Sequence, residues 1–282
     1  MHKLLLTLKL MRADKPVAYL LVFFPALFGL LLANPSRADL IYLLPLFILG
    51  SITTRSSGCI INDIFDRKFD KHVARTKNRP LASGILSIKY AIAILFILGI
   101  ISLFILLALN KTAIYIGFFA VMMISIYPLM KRVTYLPQVF LGFTFNLGTL
   151  IAYAAVQNKL DIAAITMYLA CCLWTIGYDT IYGFMDINDD KKIGVKSLSI
   201  YLENKAYKFW LYIFYVGFIL LFISAAVYNL DYLPILGAST LLILQIATLD
   251  IHNPANCMTR FKANHYAGLL LSLALITKQL YS

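Results

Sequence analysis

The sequence predicts an all-α polytopic membrane protein with nine transmembrane helices, and three observations carry that expectation. Of 282 residues, 61% are hydrophobic and 13% charged, with a mean hydropathy of +0.81, whereas a soluble domain is about half apolar and about a quarter charged. Apolar stretches of about 20 residues, long enough for roughly 30 Å of hydrocarbon, recur nine times along the chain. The basic residues are sorted by loop, which a nucleic-acid-binding surface would not require even at a net charge of +12.

The apolar stretches cover 16–32, 40–61, 90–109, 113–130, 136–156, 162–184, 207–228, 233–249 and 265–281. Ahead of the first, residues 1–15 form a basic amphipathic stretch, and the apolar run after it is long enough to span, so no cleavable leader is expected. The loops between stretches alternate in charge. Lys and Arg crowd residues 1–15, the segment from Arg67 to Lys89, the pair Lys131 and Arg132, the segment from Lys191 to Lys208, and the pair Arg260 and Lys262. The opposite loops hold only Arg37, Lys111, Lys159 and Lys278. By the positive-inside rule the crowded set, with the N-terminus, is cytoplasmic and the C-terminus lies on the other side. The short outer loops and two longer inner ones leave little room for a soluble domain, so residues 1–282 read as one membrane domain. The four cysteines show no metal-binding spacing and read as small buried residues.

The two longer inner segments concentrate the acids. NDIFDRKFD sets Asn62, Asp66 and Asp70 at i, i+4 and i+8, one helix face, with Asp63 beside them. DTIYGFMDINDD sets Asp179, Tyr182, Asp186 and Asp190 at spacings of three and four, again one face, with Asp189 adjacent. Asn62, Asp66 and Asp70 recur as Tyr182, Asp186 and Asp190 at a constant offset of 120 residues, which suggests an internal duplication. Like charges one turn apart destabilise a bare helix, and carboxylates at a membrane edge are costly, so the stacking calls for a cation. An all-oxygen set without His or Cys fits Mg²⁺, held by few carboxylates, waters and a substrate's phosphates. The alternative for either cluster alone is a solvated charged loop; the matched pair argues against it. Bases stand nearby for an anionic ligand: Arg55 inside the second stretch, where an apolar span demands a partner for it, Arg75, Lys77 and Arg79, Lys131 and Arg132, and Lys191, Lys192 and Lys196.

At these residues the sequence resembles the UbiA family of membrane prenyltransferases, whose mark is the pair of motifs NDxxDxxxD and DxxYxxxDxxxD, both complete here. The strings GCIINDIFDRKFDKHVARTKNRPLASG, YPLMKRVTYLPQVFLG and YDTIYGFMDINDDKKIGVKS resemble more narrowly its 4-hydroxybenzoate polyprenyltransferase branch, and the likeness runs from LMRADKP to FKANHYAGL. It departs from the family's pattern at Ala18 and Asn146, where glycine is usual. The resemblance implies nine helices around a central cavity with the Asp-rich motifs at its cytoplasmic mouth. It further implies transfer of a long polyprenyl group from polyprenyl diphosphate to 4-hydroxybenzoate, ortho to the phenol, in ubiquinone biosynthesis at a bacterial inner membrane. Asp66, Asp70, Asp186 and Asp190 would be catalytic. Asn62 and Asp66 would hold one Mg²⁺ and Asp186 and Asp190 another, with Asp63 and Asp70 supporting. Arg55, Arg79, Lys131, Arg132, Asp179, Tyr182 and Lys192 form the expected substrate-binding set. Phe104, Phe118, Phe119, Phe143 and Phe145 are candidates to line a dry cavity, although any one ring reads more simply as packing or facing lipid. Two rivals stand beside this reading: the same chemistry on protohaem, a naphthoate, a chlorophyllide or homogentisate, and a cation-coupled transporter, whose sites sit at the bilayer midplane rather than one face.

Overall fold

A computed structural model of the chain describes residues 2–73, 76–192, 194, 196–226 and 230–280; the side chains of His2, Pro128, Lys131, Arg132 and Leu280 lie outside the description. Arg75 is likewise outside it. The described residues form helices α1 (His2–Met11), α2 (Pro16–Leu32), α3 (Arg37–Asp70), α4 (Ile88–Leu107), α5 (Lys111–Val133), α6 (Pro137–Phe145), α7 (Leu147–Gln157), α8 (Ile162–Gly183), α9 (Ile187–Lys192), α10 (Leu198–Leu202), α11 (Tyr207–Ala226), α12 (Tyr232–Ala247) and α13 (Pro254–Leu280), with a 3₁₀ turn at Phe184–Asp186 between α8 and α9.

Local chemistry sets many of the boundaries. Ser36 caps α3 in a reciprocal box with Asp39, while Ser87, Asn110, Asp161, Ser197 and Asp231 accept from backbone N–H groups in the first turns of α4, α5, α8, α10 and α12. Pro16 and Pro137 open α2 and α6, where a missing N–H costs nothing.

Helices stand at all nine apolar segments. By length and composition five of the described spans can cross a bilayer, Arg37–Asp70, Ile88–Leu107, Pro137–Gln157, Ile162–Lys192 and Tyr207–Ala226, or six if α1 and α2, bent by 48°, count as one. The expected nine crossings are not reached by that measure. At 1.5 Å per residue α12 spans about 24 Å, and the first half of α13 carries Arg260, Lys262, Asn264 and His265. The expected span 136–156 divides at Asn146, whose buried Nδ2 donates to Gly142 O at 2.7 Å and Thr175 Oγ1 at 2.8 Å. The helix expected at 265–281 begins eleven residues earlier, at Pro254.

The main core lies around α8, which packs most extensively on α11. Trp174 stacks on Phe218 with ring centroids 5.1 Å apart and on Phe28 at 6.0 Å. α4 stands at the rim, burying only Ala91 and Leu98 and leaving Phe96 and Phe104 exposed, as a lipid-facing helix would. All four cysteines are free and buried. α3 is decisive for the site: 34 residues reach about 51 Å, well past the hydrocarbon, so its last turns emerge at one membrane face carrying the first acidic motif.

Candidate active site

A cavity of about 320 Å³ opens at that end of the bundle. α3 contributes one stripe to it, Arg55, Cys59, Asn62, Asp66, Phe69 and Asp70, every third or fourth residue as a single helix face requires. α8 and its extension face this stripe with Asp179, Tyr182, Gly183, Asp186 and Asp190. α6 supplies Pro137, Gln138, Leu141 and Phe145, and Arg12, Thr76, Arg79, Tyr127, Lys196, Ser197 and Phe261 complete most of the wall. The two motifs, 120 residues apart in the chain, therefore line one cavity.

The second motif does not lie on one unbroken α-helix, as the spacing suggested. α8 ends at Gly183, the chain tightens through the 3₁₀ turn, and α9 resumes at Ile187. The break is closely packed: Ser199 of α10 donates to Thr180 O at 2.8 Å, and a Cβ on Gly183 would stand 2.2 Å from its Oγ, so glycine is needed at the end of α8. The acids keep their common side despite the break.

Asp63, expected among the metal ligands, is 1% exposed and is not part of the lining. One step along the helix from Asn62 turns it about 100° away from the cavity stripe. Its Oδ1 accepts from Arg12 Nη2 at 2.5 Å and from Arg79 Nη1 at 3.2 Å, and the same Arg79 nitrogen donates to Asp70 Oδ2 at 2.6 Å. Arg79 therefore ties the loop after α3 back onto the acidic face.

Lys192, expected at the substrate, is also displaced. Its side chain is 75% exposed and reaches Asp189 at 3.5 Å. α9 ends there, Gly194 takes the left-handed conformation at φ of +73°, and Lys196 lines the wall where Lys192 does not. Lys131 and Arg132 sit in the last turn of α5, with side chains outside the description. Of the expected ring lining only Phe145 faces the cavity; Phe104, Phe118, Phe119 and Phe143 are exposed on the outside of the bundle. Tyr127, Phe69, Tyr182 and Phe261 take their place, Tyr182 and Phe261 packing edge to face at 4.9 Å.

Arg12 escaped the sequence reading. It follows α1 with φ of +65°, a conformation costing a side-chain-bearing residue roughly 1–2 kcal/mol, and its ion pair with Asp63 offsets that strain. In the sequence it is one base among several in a basic stretch, with nothing to mark a partner 51 residues away.

Charge in the cavity is mixed. Asp66, Asp70, Asp179, Asp186 and Asp190 share it with Arg12, Arg55, Arg79 and Lys196. Arg55 Nε is buried without a hydrogen-bond partner, an orphaned donor inside an apolar span that suits an anionic ligand. Among the described residues no three acidic, His or Cys side chains converge into a self-sufficient metal site. Oxygen donors from two opposed faces fit a hard divalent cation that completes its shell with water and a bound diphosphate.

Comparison with known proteins agrees with this arrangement. The profile of the UbiA prenyltransferase family matches residues 22–270. A 4-hydroxybenzoate octaprenyltransferase of Francisella tularensis subsp. novicida (strain U112) is 38% identical over 265 residues, 93% of each chain. Among solved structures, the apo form of a UbiA homolog from Aeropyrum pernix K1 superposes with a TM-score of 0.77 at 22% identity, covering 92% of this chain and 96% of that one. A UbiA homolog from Archaeoglobus fulgidus bound to GPP and Mg²⁺ gives 0.67 at 18% identity over 97% and 98%. These two likenesses concern the fold.

Proposed function

The chain belongs to the UbiA prenyltransferase family, and from that premise we propose that it transfers a polyprenyl group from polyprenyl diphosphate to the ring of 4-hydroxybenzoate, a step of ubiquinone biosynthesis. The observation that carries the reading is the meeting of both acidic motifs in one cavity above Arg55, whose buried Nε has no hydrogen-bond partner. The 38% identity to a 4-hydroxybenzoate octaprenyltransferase over 93% of each chain supports the acceptor.

Asn62, Asp66, Asp70, Asp186 and Asp190 are the residues that would hold divalent metal, and the Archaeoglobus fulgidus homolog with GPP and Mg²⁺ supports magnesium as its identity. Bound there, Mg²⁺ would neutralise the charge that grows on the diphosphate as the allylic C–O bond breaks. Asp63 supports the site from behind by fixing Arg12 and Arg79. Arg12, Arg79 and Lys196, which line the cavity with the acids, would donate to diphosphate oxygens, and Arg55, about two turns deeper than Asn62, would hold the carboxylate of the aromatic acid. Lys131 and Arg132 remain members of the proposed substrate set. The rings of Tyr127, Phe145, Tyr182 and Phe261 exclude water and present π faces to the allylic carbon as it gains positive charge. The ring carbon ortho to the phenol hydroxyl forms the new C–C bond, the diphosphate leaves with the C–O pair, and the ring proton passes to a base, for which the carboxylates and the released diphosphate are at hand.

The protein is an integral membrane protein. The likeness to a bacterial relative supports a bacterial plasma-membrane location, and sorting of the basic residues supports an orientation with the N-terminus and both motifs cytoplasmic and the C-terminus opposite. The assay is transfer from radiolabelled polyprenyl diphosphate in membranes bearing the full chain, offered 4-hydroxybenzoate, a naphthoate, homogentisate or protohaem. A prenylated 4-hydroxybenzoate that disappears with EDTA is the expected product; labelling of another acceptor instead would overturn the acceptor, and labelling of none the transferase.

A further inference from the structure

A second concavity lies away from the acidic cavity, in the wall between α12 and α13. It is a groove of about 550 Å³ that shares no lining residue with the cavity. Its floor and rim include Leu233, Leu236, Thr240 and Leu244, successive turns of one face of α12, and all four are exposed where the bundle meets lipid. Two polar side chains, Gln245 and Arg260, stand at the end nearer the acidic motifs.

The hydrogen-bond network behind the groove leaves these two as donors. Trp174 Nε1 can only donate, and it donates to Asn264 Oδ1 at 2.8 Å, which fixes the orientation of that amide. Asn264 Nδ2 then donates to Gln245 Oε1 at 3.1 Å. Gln245, 2% exposed, is left with Nε2 as a buried donor without a partner. Arg260 Nε is also buried and unpartnered, and its guanidinium enters no ion pair among the described residues. No carboxylate lines the groove. Uncompensated buried donors call for an acceptor, and the apolar wall calls for a chain.

We propose that this groove binds one anionic phospholipid from the leaflet facing the acidic motifs, its acyl chain along Leu233, Leu236, Thr240 and Leu244 and its phosphate against Arg260, with the Gln245 amide behind it. The headgroup level is right: Phe261, the next residue of α13, packs on Tyr182 in the cavity. The prenyl substrate is not the occupant, because its diphosphate belongs with the acidic motifs, and the body of α13 separates a head there from a tail in the groove. Lipid seated on Arg260 braces the helix that carries Phe261, so the site is a place where membrane composition acts on the cavity wall. The inference does not depend on which ring the enzyme prenylates.

Native mass spectrometry of the full chain in mild detergent tests it, by titrating phosphatidylglycerol against phosphatidylcholine and counting retained lipid. Wild type retains phosphatidylglycerol preferentially. Arg260→Gln weakens it about fivefold, as loss of roughly 1 kcal/mol per interfacial cation implies, Arg260→Lys keeps part of the preference, and Thr240→Trp, at an exposed position, fills the groove and lowers retention of both lipids. Thermal unfolding of each variant separates lipid loss from misfolding. Unchanged phosphatidylglycerol retention in folded Arg260→Gln and Thr240→Trp overturns the proposal. So does displacement of the lipid by inorganic phosphate, which would make the groove a free-anion site, or by polyprenyl diphosphate in wild type alone, which would give it to the substrate.

Discussion

The two acidic motifs share a spacing but not a support. The first rides on uninterrupted α3, with Asp63 and Asp70 buried and bound by Arg12 and Arg79. The second follows the end of α8 through a 3₁₀ turn into the short α9, and its neighbours Asp189, Lys191 and Lys192 pair at the surface, Lys191 with Glu203 and Lys192 with Asp189. Ion pairs of the first kind are costly to break on one side, whereas exposed pairs contribute little. One motif is therefore held rigidly by the bundle and the other is shaped by a crowded turn, although both present acids to the same cavity.

The largest effect expected is one on which the motifs should agree. Asp66→Asn and Asp186→Asn each lower the transfer rate by about 10²–10³-fold with normal membrane insertion, measured as turnover of radiolabelled prenyl diphosphate; a spared variant would break the pairing. The motifs should then diverge in stability. Arg12→Ala leaves the buried Asp63 with Arg79 alone and is expected to cost about 3 kcal/mol, read by thermal unfolding in detergent, with Arg12→Ala/Asp63→Asn recovering part of it. Gly183→Ala pushes a methyl against Ser199 and should cost about 1–3 kcal/mol, relieved in Gly183→Ala/Ser199→Ala. Lys191→Ala removes an exposed partner of Glu203 and should change stability by less than about 1 kcal/mol and leave turnover intact.

Much of this was legible because helical periodicity is local. The stripe from Arg55 through Asn62, Asp66 and Asp70 needs only one helix, and α3 provides it. Features that depend on a distant partner were not legible. Arg12 meets Asp63 across 51 residues, and which of the sequence's candidates Lys191, Lys192 and Lys196 lines the cavity, namely Lys196, does not follow from counting turns. Hydropathy also missed the polar first turns of α13 and the division of the fifth span at Asn146, where a side-chain amide serves helix backbone inside the membrane. The number of crossings differs for a similar reason: apolar composition does not fix helix length, and the apolar helical stretches Lys111–Tyr127 and Tyr232–Ala247 are short for a span.

The account's central claim is that both motifs serve one bound diphosphate, and Mg²⁺-dependent binding of geranyl diphosphate to the purified full chain tests it most directly. Saturable binding that EDTA abolishes, and that both Asp66→Asn and Asp186→Asn weaken severely, is the predicted result; binding indifferent to EDTA, or wild-type affinity in either variant, would contradict it.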